Sequence, residues 1–281
     1  MIEQAQAQET LSVADLCEIL DVSPSGYYAW CKRGKSAHQQ ADEKMGEQIE
    51  QVFNDSRQTY GSPRIERALR EQGLRTSRKR VARLMQERGL RSVRAHKRRR
   101  GLTKAGQQAY IVPNLLAQDF TAIRRNEKWV TDTTYIPTRE GWLHLVSVMD
   151  LYNRQVVGWA MGEHHDAVLA TAALDMAIRR EHPQPGLIVH SDRGSEFANA
   201  RFHQRAAEDQ LRLSMSSTGN CYDNASAESF FATVKLELVR GRVFASRLEA
   251  RQELFDFIEV FYNQQRLHSG IDYARPVSRS E

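Results

Sequence analysis

Cysteine and proline are scarce in this sequence of 281 residues, which contains three cysteines and seven prolines. Cys17, Cys31 and Cys221 are far apart, odd in number and form no CxxC pair. That pattern argues against a disulfide framework or structural zinc and favours a reducing compartment. There is no run of about eighteen apolar residues. The first residues, MIEQAQAQET, lack the basic and apolar blocks of a signal peptide. We therefore expect a cytoplasmic protein that does not span a membrane.

Excess positive charge is confined to one block. The net charge of +5 divides into −3 for residues 1–45, +10 for residues 46–102 and −2 for the remainder. A localised basic block is the electrostatic footprint of a nucleic-acid-binding module, although a solvated basic tail stays open as the alternative. The length, with 41% hydrophobic residues, suggests two or three packed units.

Residues 1–42 are interpreted as an N-terminal helix–turn–helix segment and linker. Ser12 is predicted to cap a first helix with Val13, Leu16, Cys17 and Leu20 at helical spacing. Ser23 followed by Pro24 is typical of a second helix start. Such a pair reads DNA in many proteins, but ordinary helical packing is an equal alternative here. Residues 34–42 are predicted to be the linker.

Residues 43–102 predict a basic helical DNA-binding domain. A first amphipathic helix carries Ile49, Val52 and Phe53. Ser62 as cap and Pro63 begin a second helix that Gly73 ends, and Thr76 or Ser77 begins a third that Gly89 ends. The third helix directs Val81, Leu84 and Met85 inward. Its remaining face is cationic and is expected to contact DNA through Arg78, Lys79, Arg83 and Arg88.

A basic arm ends this domain and leads into a linker over residues 103–126. The arm has no apolar periodicity and suits phosphates or a minor groove through Lys97, Arg98, Arg99 and Arg100.

Residues 127–281 alternate strand and helix patterns. The predicted strands cover 129–137, 140–150, 154–161, 185–192 and 211–216. Short turns make the first three an antiparallel meander, and helices separate the later ones. This order matches a ribonuclease-H-like fold. The predicted class is thus α/β, a mixed-sheet catalytic domain preceded by small all-α helix–turn–helix domains.

Three acidic residues are expected to converge in that domain. Asp132 lies within the first strand, Asp192 follows the fourth, and Glu228 lies one turn into a helix, with 35 residues between Asp192 and Glu228. Carboxylate oxygens suit Mg²⁺ or Mn²⁺, and two ions about 3.5–4 Å apart can clamp an in-line phosphoryl displacement. Lys235, seven residues beyond Glu228, is placed to hold a phosphate nearby, unless it is an ordinary solvated lysine.

Other candidates at the site are interpreted differently. Asp150 is expected to serve a turn or to pair with Arg154, Asp223 to cap a helix, and Glu196 to be exposed. His190 has three open roles: general base, metal ligand, or a hydrogen-bonded structural histidine, which is the commonest case.

Several long motifs resemble one family. They are WVTDTTYIP, GWLHLVSVMDLYNRQVVGW, HSDRGSEF, SMSSTGNCYDNASAESFFATVKLE, YNQQRLHSGIDYARP, CEILDVSPSGYYAWCKR and YGSPRI with RVARLMQERGL. Taken in their order along the chain, they resemble the DDE transposases of the insertion-sequence-three family, relatives of retroviral integrases, over nearly the whole chain.

The resemblance implies roles for particular residues. Asp132, Asp192 and Glu228 would be the metal ligands, and Lys235 would match the basic residue after the glutamate. Tyr262, Asn263, Arg266 and His268 would form a C-terminal element that packs or positions beside the active site. Two divalent ions would serve cleavage at element ends by water and strand transfer by the freed 3′-OH. Circular excision intermediates are typical products.

The resemblance also implies partners. These are double-stranded DNA, as terminal inverted repeats and target, a homo-oligomer in a synaptic complex at the nucleoid, and an upstream-frame product. Two other hypotheses stay open: a DNA-binding regulator without catalysis, and an endonuclease that cuts without joining.

Overall fold

The described part of the chain begins with a pair of short helices, as predicted. A computed structural model describes residues 12–93, 110–217 and 223–279. The pair consists of α1 (Val13–Ile19) and α2 (Pro24–Lys32). The hydroxyls of Ser12 and Ser23 accept N–H groups from the first turns of these helices, which confirms both predicted caps. None of the residues described in α2 is buried, and its Trp30 is exposed.

Three longer helices form the next unit, with two differences from the prediction. They are α3 (Ala37–Asp55), α4 (Ser62–Glu71) and α5 (Arg78–Glu87). The predicted linker is wrong from residue 37, because Ser36 and Gln39 form a reciprocal capping box that begins α3 there. Ser62 is not the cap of α4, since Gly61 takes that position. The expected inward residues form a core: Ile49, Val52, Phe53, Val81, Leu84 and Met85.

A five-stranded mixed sheet is the centre of the remaining chain. Its strands are β1 (Lys128–Thr138), β2 (Gly141–Asp150), β3 (Val156–Gly162), β4 (Ile188–Ser191) and β5 (Arg212–Met215). The spatial order is β3-β2-β1-β4-β5. The first three strands are an antiparallel meander, whereas β4 runs parallel to both β1 and β5. The predicted ribonuclease-H-like topology is confirmed.

Helices cover both faces of the sheet. One face carries α6 (Ala167–Glu181) and α7 (Ala200–Glu208). The other carries α8 (Ala225–Thr233) and α9 (Arg247–Phe255). Gly158 on β3 permits the close packing of α6, because a Cβ there would overlap the Ala173 carbonyl oxygen. Among the described residues, no helix combines the length and apolar character needed to cross a bilayer.

Two of the helices change pitch before they end. The stretch predicted as one helix from Asn224 is α8 followed without a break by a π-helical segment, Val234–Val239. Likewise α9 continues into a second π-helical segment, Asp256–Gln265, before a 3₁₀ turn at Ser269–Ile271. π-Helical turns occur often at functional sites.

Candidate active site

Three predicted carboxylates come from neighbouring elements at one edge of the sheet. Asp132 lies on β1 and Asp192 directly follows β4, the parallel neighbour of β1. Glu228 lies in the first turn of α8. Side chains alternate along a strand, so Asp132 shares the face of Val130 and Ile136, which pack in the same cluster as α8. All three acids are half-buried.

Short hydrogen bonds orient these side chains. The N–H of Thr133 donates to Asp132 Oδ1 at 2.8 Å, and that of Gly194 donates to Asp192 Oδ1 at 2.9 Å. The amide Nδ2 of Asn224 donates to the carbonyl of Thr131 at 3.1 Å. This last bond ties the start of α8 to β1 beside Asp132, and it thereby fixes the position of the first turn of α8, in which Glu228 lies.

Burial, and then the charges of neighbouring acids, raises the pKa of the two aspartates. Burial and then the charge of Asp192 raise the pKa of Asp132 well above its ordinary value, and Glu228 and Glu196 add to the shift. Burial also raises the pKa of Asp192, with Glu196 and Glu228 adding to the shift and the Gly194 N–H opposing it. The acids are therefore close enough to sense one another's charge.

A fourth carboxylate belongs to this site, and sequence reasoning missed it. Glu196 was expected to be exposed, but it is only 4% exposed. Its Oε1 accepts the Thr133 hydroxyl at 3.0 Å and lies beside His165 Nε2, while Oε2 is buried without a hydrogen-bond partner. The turn at Gly194 reverses the chain, and a Cβ there would overlap the Glu196 carboxylate. The glycine two residues before the acid was the available signal.

His190 is a structural histidine. It is fully buried, and its Nδ1 and Nε2 lie 2.8 Å and 3.2 Å from the hydroxyls of Ser214 and Ser216. Burial lowers the pKa of His190 to about 4. The ring is thus neutral near pH 7 and engaged through both nitrogens, so the structural alternative is favoured.

Of two other acids, Asp150 takes one of its two predicted roles and Asp223 does not take its predicted role. Asp150 serves a turn, accepting N–H groups of Asn126 and Tyr152, but the guanidinium of Arg154 bonds to Ser226 instead. Asp223 is not the cap of α8, because Asn224 takes that position. The Asp223 carboxylate instead accepts hydrogen bonds from the segment before β1, through Asn114 and Gln118.

Lys235 lies at an exposed edge next to aromatic rings. It is on the π-helical segment after α8, with Nζ 5.0 Å from the centre of the Tyr135 ring. Tyr135 in turn meets Trp142 edge-on at 4.9 Å, and both rings are more than half exposed. The surface therefore offers a cation and two aromatic faces beside β1.

The four C-terminal residues singled out by the resemblance are all buried in packing. Asn263 pairs with the backbone of Val156 through both amide atoms at 3.0 Å, which ties the second π-helical segment to β3. His268 Nε2 lies 3.2 Å from the carbonyl of Tyr262. Arg266 forms a double hydrogen bond with Glu237. These contacts join elements around the sheet.

The cationic face of α5 is only partly open. Arg78 and Lys79 are exposed, as predicted. Arg83 instead pairs with Asp42 and Glu87, and Arg88 pairs with Glu50. The expectation that all four face outward freely is wrong for these two, because α3 presents its acids to α5. The arm with Lys97, Arg98, Arg99 and Arg100 lies outside the described residues.

The carboxylate edge fits a divalent cation in its chemistry. In the described ranges, no group of three His, Cys, Asp or Glu side chains is closed tightly enough to hold a metal ion. The donors are nevertheless hard oxygens whose repulsion raises an aspartate pKa, and Glu196 Oε2 is a buried acceptor without a partner. A cation at this edge would offset that repulsion, and oxygen ligands suit Mg²⁺ or Mn²⁺.

The chain is similar to known proteins over nearly its full length. Residues 122–221 and 209–276 each match a model described as an integrase core domain, and residues 39–99 match an HTH-like domain. Transposase InsF for insertion sequence IS3A of Escherichia coli K12 is 40% identical over 281 residues, covering 95% of this chain and 93% of that protein. A 31 kDa protein of insertion element IS600 from Shigella sonnei is 39% identical, covering 95% and 97%.

The solved structures similar to this chain include the HTLV-2 integrase catalytic core domain in complex with magnesium. It is 13% identical with a TM-score of 0.44, covering 57% of this chain and 100% of that one.

Proposed function

The chain belongs to the insertion-sequence-three (IS3) family of transposases, and we propose that Asp132, Asp192 and Glu228 form the metal-binding centre with which it cuts and joins DNA. The coarser activity, polynucleotidyl transfer in DNA transposition, comes with the family. The observation that carries the assignment of residues is that three acids from neighbouring elements share one half-buried place, where burial and then the charges of Asp192 and Glu228 raise the pKa of Asp132. Repelling acids from β1, β4 and α8 suit a cation site better than a structural one.

The three carboxylates would hold Mg²⁺ or Mn²⁺, and two ions are proposed. When bound, such ions stabilise the charge that develops on phosphate and lower the pKa of water or of a 3′-OH. The protein contributes orientation. The N–H groups of Thr133 and Gly194 fix the two aspartates, and Asn224 fixes the start of the glutamate's helix. Glu196 fills the space beside them from the loop that follows β4.

DNA is proposed to contact the two surfaces that carry exposed cations. Arg78 and Lys79 on α5 are exposed and suited to phosphates, with Arg83 and Arg88 contributing less because carboxylates share their charge. Lys235 beside Tyr135 offers a cation and a ring near the carboxylates. The arm from Lys97 to Arg100 stays a prediction.

Partners and domain limits are proposed on the same basis. The DNA partners would be terminal inverted repeats and target, joined in a synaptic homo-oligomer at the nucleoid, with an upstream-frame product as a further partner. The proposed units are residues 43–102 and 127–281, with a linker at 103–126; the first boundary, predicted after residue 42, moves to residue 36, because α3 begins at Ala37.

The test is cleavage and strand transfer on element-end DNA with Mg²⁺ or Mn²⁺. Asp192→Asn is expected to abolish both reactions and to leave DNA binding largely intact. Asp175→Asn is the matched control, since this half-exposed acid on α6 pairs with Arg205 away from the site. Loss of binding together with chemistry would indicate a folding role. Cleavage without joining would indicate an endonuclease. If the wild type and the upstream-frame fusion both bind DNA but do not cleave it, the protein would be a regulator.

A further inference from the structure

The helical domain and the catalytic domain share a buried contact, which we call the interdomain joint. It consists of Tyr60 and Arg64 from the helical domain and Glu237, Arg266 and Leu267 from the catalytic domain. Leu267 is 1% exposed and packs in the same core cluster as Ile49, Ile65 and Leu69. The catalytic domain thus supplies part of the hydrophobic core of the helical domain.

A single hydroxyl fixes the backbone at this contact. Tyr60 is buried, and its hydroxyl accepts the N–H of Leu267 at 2.7 Å. The two residues are 207 positions apart in the chain. A buried N–H without a partner is costly, so this bond favours one orientation of the two domains over others.

Buried charges join the same two domains. Nε and Nη2 of Arg266 donate to Glu237 Oε2 and Oε1 at 2.8 Å and 2.6 Å. Nη1 of Arg64 lies 3.8 Å from the same Oε1, and its guanidinium lies 5.6 Å from the centre of the Tyr60 ring. Glu237 therefore sits between an arginine of its own domain and one of the helical domain. Ions buried to this extent depend on their partners.

The joint acts on the helical run that carries Glu228. Glu237 lies on the π-helical segment that continues α8 without a break, and Glu228 lies in the first turn of α8. A continuous helix transmits a shift at one end to the other. The surrounding contacts strengthen the docking, since Arg57 pairs with Asp256 and Arg275 pairs with Glu71 across the same boundary.

We propose that the interdomain joint positions Glu228, and that Tyr60 and Arg64 are positioning residues for catalysis and not DNA contacts. This inference rests on the proposed role of Glu228 at the metal centre. A DNA end bound on α5 is thereby presented at a fixed place relative to the carboxylates. Part of the positive charge between residues 46 and 102 consequently faces the catalytic domain.

Two variants and one matched control test the proposal. Tyr60→Phe removes one hydroxyl and Arg64→Met removes one charge, while Arg70→Met makes the same change on an exposed arginine of the same helix. Hydrogen exchange is measured first, without DNA or metal. Both variants are expected to speed exchange around Leu267 and along residues 225–239, with β1 and β2 unchanged. Arg70→Met is expected to match the wild type.

End cleavage is measured next. Both joint variants are expected to lower kcat about tenfold or more while KM for end DNA changes by less than about twofold, because misplacing a catalytic group slows chemistry without weakening binding. Arg64→Lys is expected to retain most of the wild-type kcat.

Several outcomes would overturn the proposal. A raised KM with unchanged kcat would make Arg64 a DNA contact, and faster exchange throughout the sheet would reduce the joint to a folding role. Unchanged exchange and unchanged kcat would show that the joint does not form. An inactive wild type or an active Asp192→Asn protein would instead contradict the proposed function, and the exchange data would still decide the joint.

Discussion

Glu228 and Glu237 lie nine residues apart on one helical run, yet their surroundings are opposite. Glu228 stands among acids, and its charge helps to raise the pKa of both Asp132 and Asp192. Glu237 is buried between Arg266 and Arg64. One end of the run therefore concentrates like charge and the other pairs opposite charge.

The difference separates a site prepared for a cation from a site that holds the fold. Repelling carboxylates cost stability until a positive ion arrives, and strain of this kind is typical of functional sites. A buried pair contributes little net stability compared with apolar packing, but it makes each partner indispensable to the other. The same residue type thus serves binding at one end and positioning at the other.

The largest expected effect is at the acidic end. Asp132→Asn should reduce strand cleavage about 1000-fold or more, because metal ions supply several kcal/mol of transition-state stabilisation. The same change should raise the melting temperature of the metal-free protein. The pKa of Asp132 is higher in the folded protein than in the unfolded chain. Ionisation of Asp132 therefore destabilises the folded protein progressively as the pH rises above the unfolded pKa, and asparagine, which carries no charge, removes that cost.

Calorimetry with and without Mg²⁺ checks this prediction. The wild type should gain thermal stability from Mg²⁺ and Asp132→Asn should gain much less. If Asp132→Asn is less stable than the wild type when both are free of metal, the three acids do not form a repelling cluster.

The paired end should respond in the opposite direction. Glu237→Gln leaves the Arg266 guanidinium buried without its carboxylate, so we expect a loss of about 3–5 kcal/mol in the free energy of unfolding. Urea unfolding measures it. Glu253→Gln is the control, because its pair with Arg242 is at the surface and should contribute about 1 kcal/mol or less. Equal effects of the two variants would remove the distinction between the sites.

Low pH should destabilise the protein through a buried histidine beside Arg266. Burial and the charge of Arg266 lower the pKa of His268 to about 3. As pH falls below about 6.5 the unfolded chain takes up a proton that the folded protein refuses, so stability is lost, by roughly 3 kcal/mol at pH 4. His268→Gln keeps a donor for the Tyr262 carbonyl and should flatten this dependence. His38→Gln changes an exposed histidine and is the control. Equal losses of stability in the wild type and in His268→Gln between pH 6.5 and 4 would contradict the lowered pKa of His268.

Local pattern predicted much of this molecule. The existence of β1 and β2 and the caps at Ser12 and Ser23 are decided by neighbours in sequence, and each is confirmed. Of the two residues offered as the cap of α5, Ser77 takes the position. The neighbouring positions of Asp132 and Asp192 also followed from the predicted fold, in which β4 runs beside β1: Val130 pairs with His190, and each aspartate lies two residues farther along.

Contacts between distant elements were beyond sequence pattern. The sequence showed that Arg83 lies on the polar face of α5 but not that Asp42 of α3 meets it. Glu196 was misjudged because its burial depends on a chain reversal and on Thr133 of another strand. The joint at Tyr60 and Leu267 likewise depends on how two domains dock. Such contacts involve partners tens to hundreds of residues away in sequence, and hydrophobic periodicity carries no information about them.

The smallest effect concerns DNA affinity, and it extends the comparison of open with paired charge to α5. Lys79 is exposed, so Lys79→Gln should weaken binding to end DNA and reduce the slope of log affinity against log salt by about 1. Arg83 already shares its charge with Asp42 and Glu87, so Arg83→Gln should change the slope by less. Fluorescence anisotropy across a salt series measures both. A larger change for Arg83 would mean that DNA displaces the Asp42 pair, in which case that pairing would be a feature of the free protein alone.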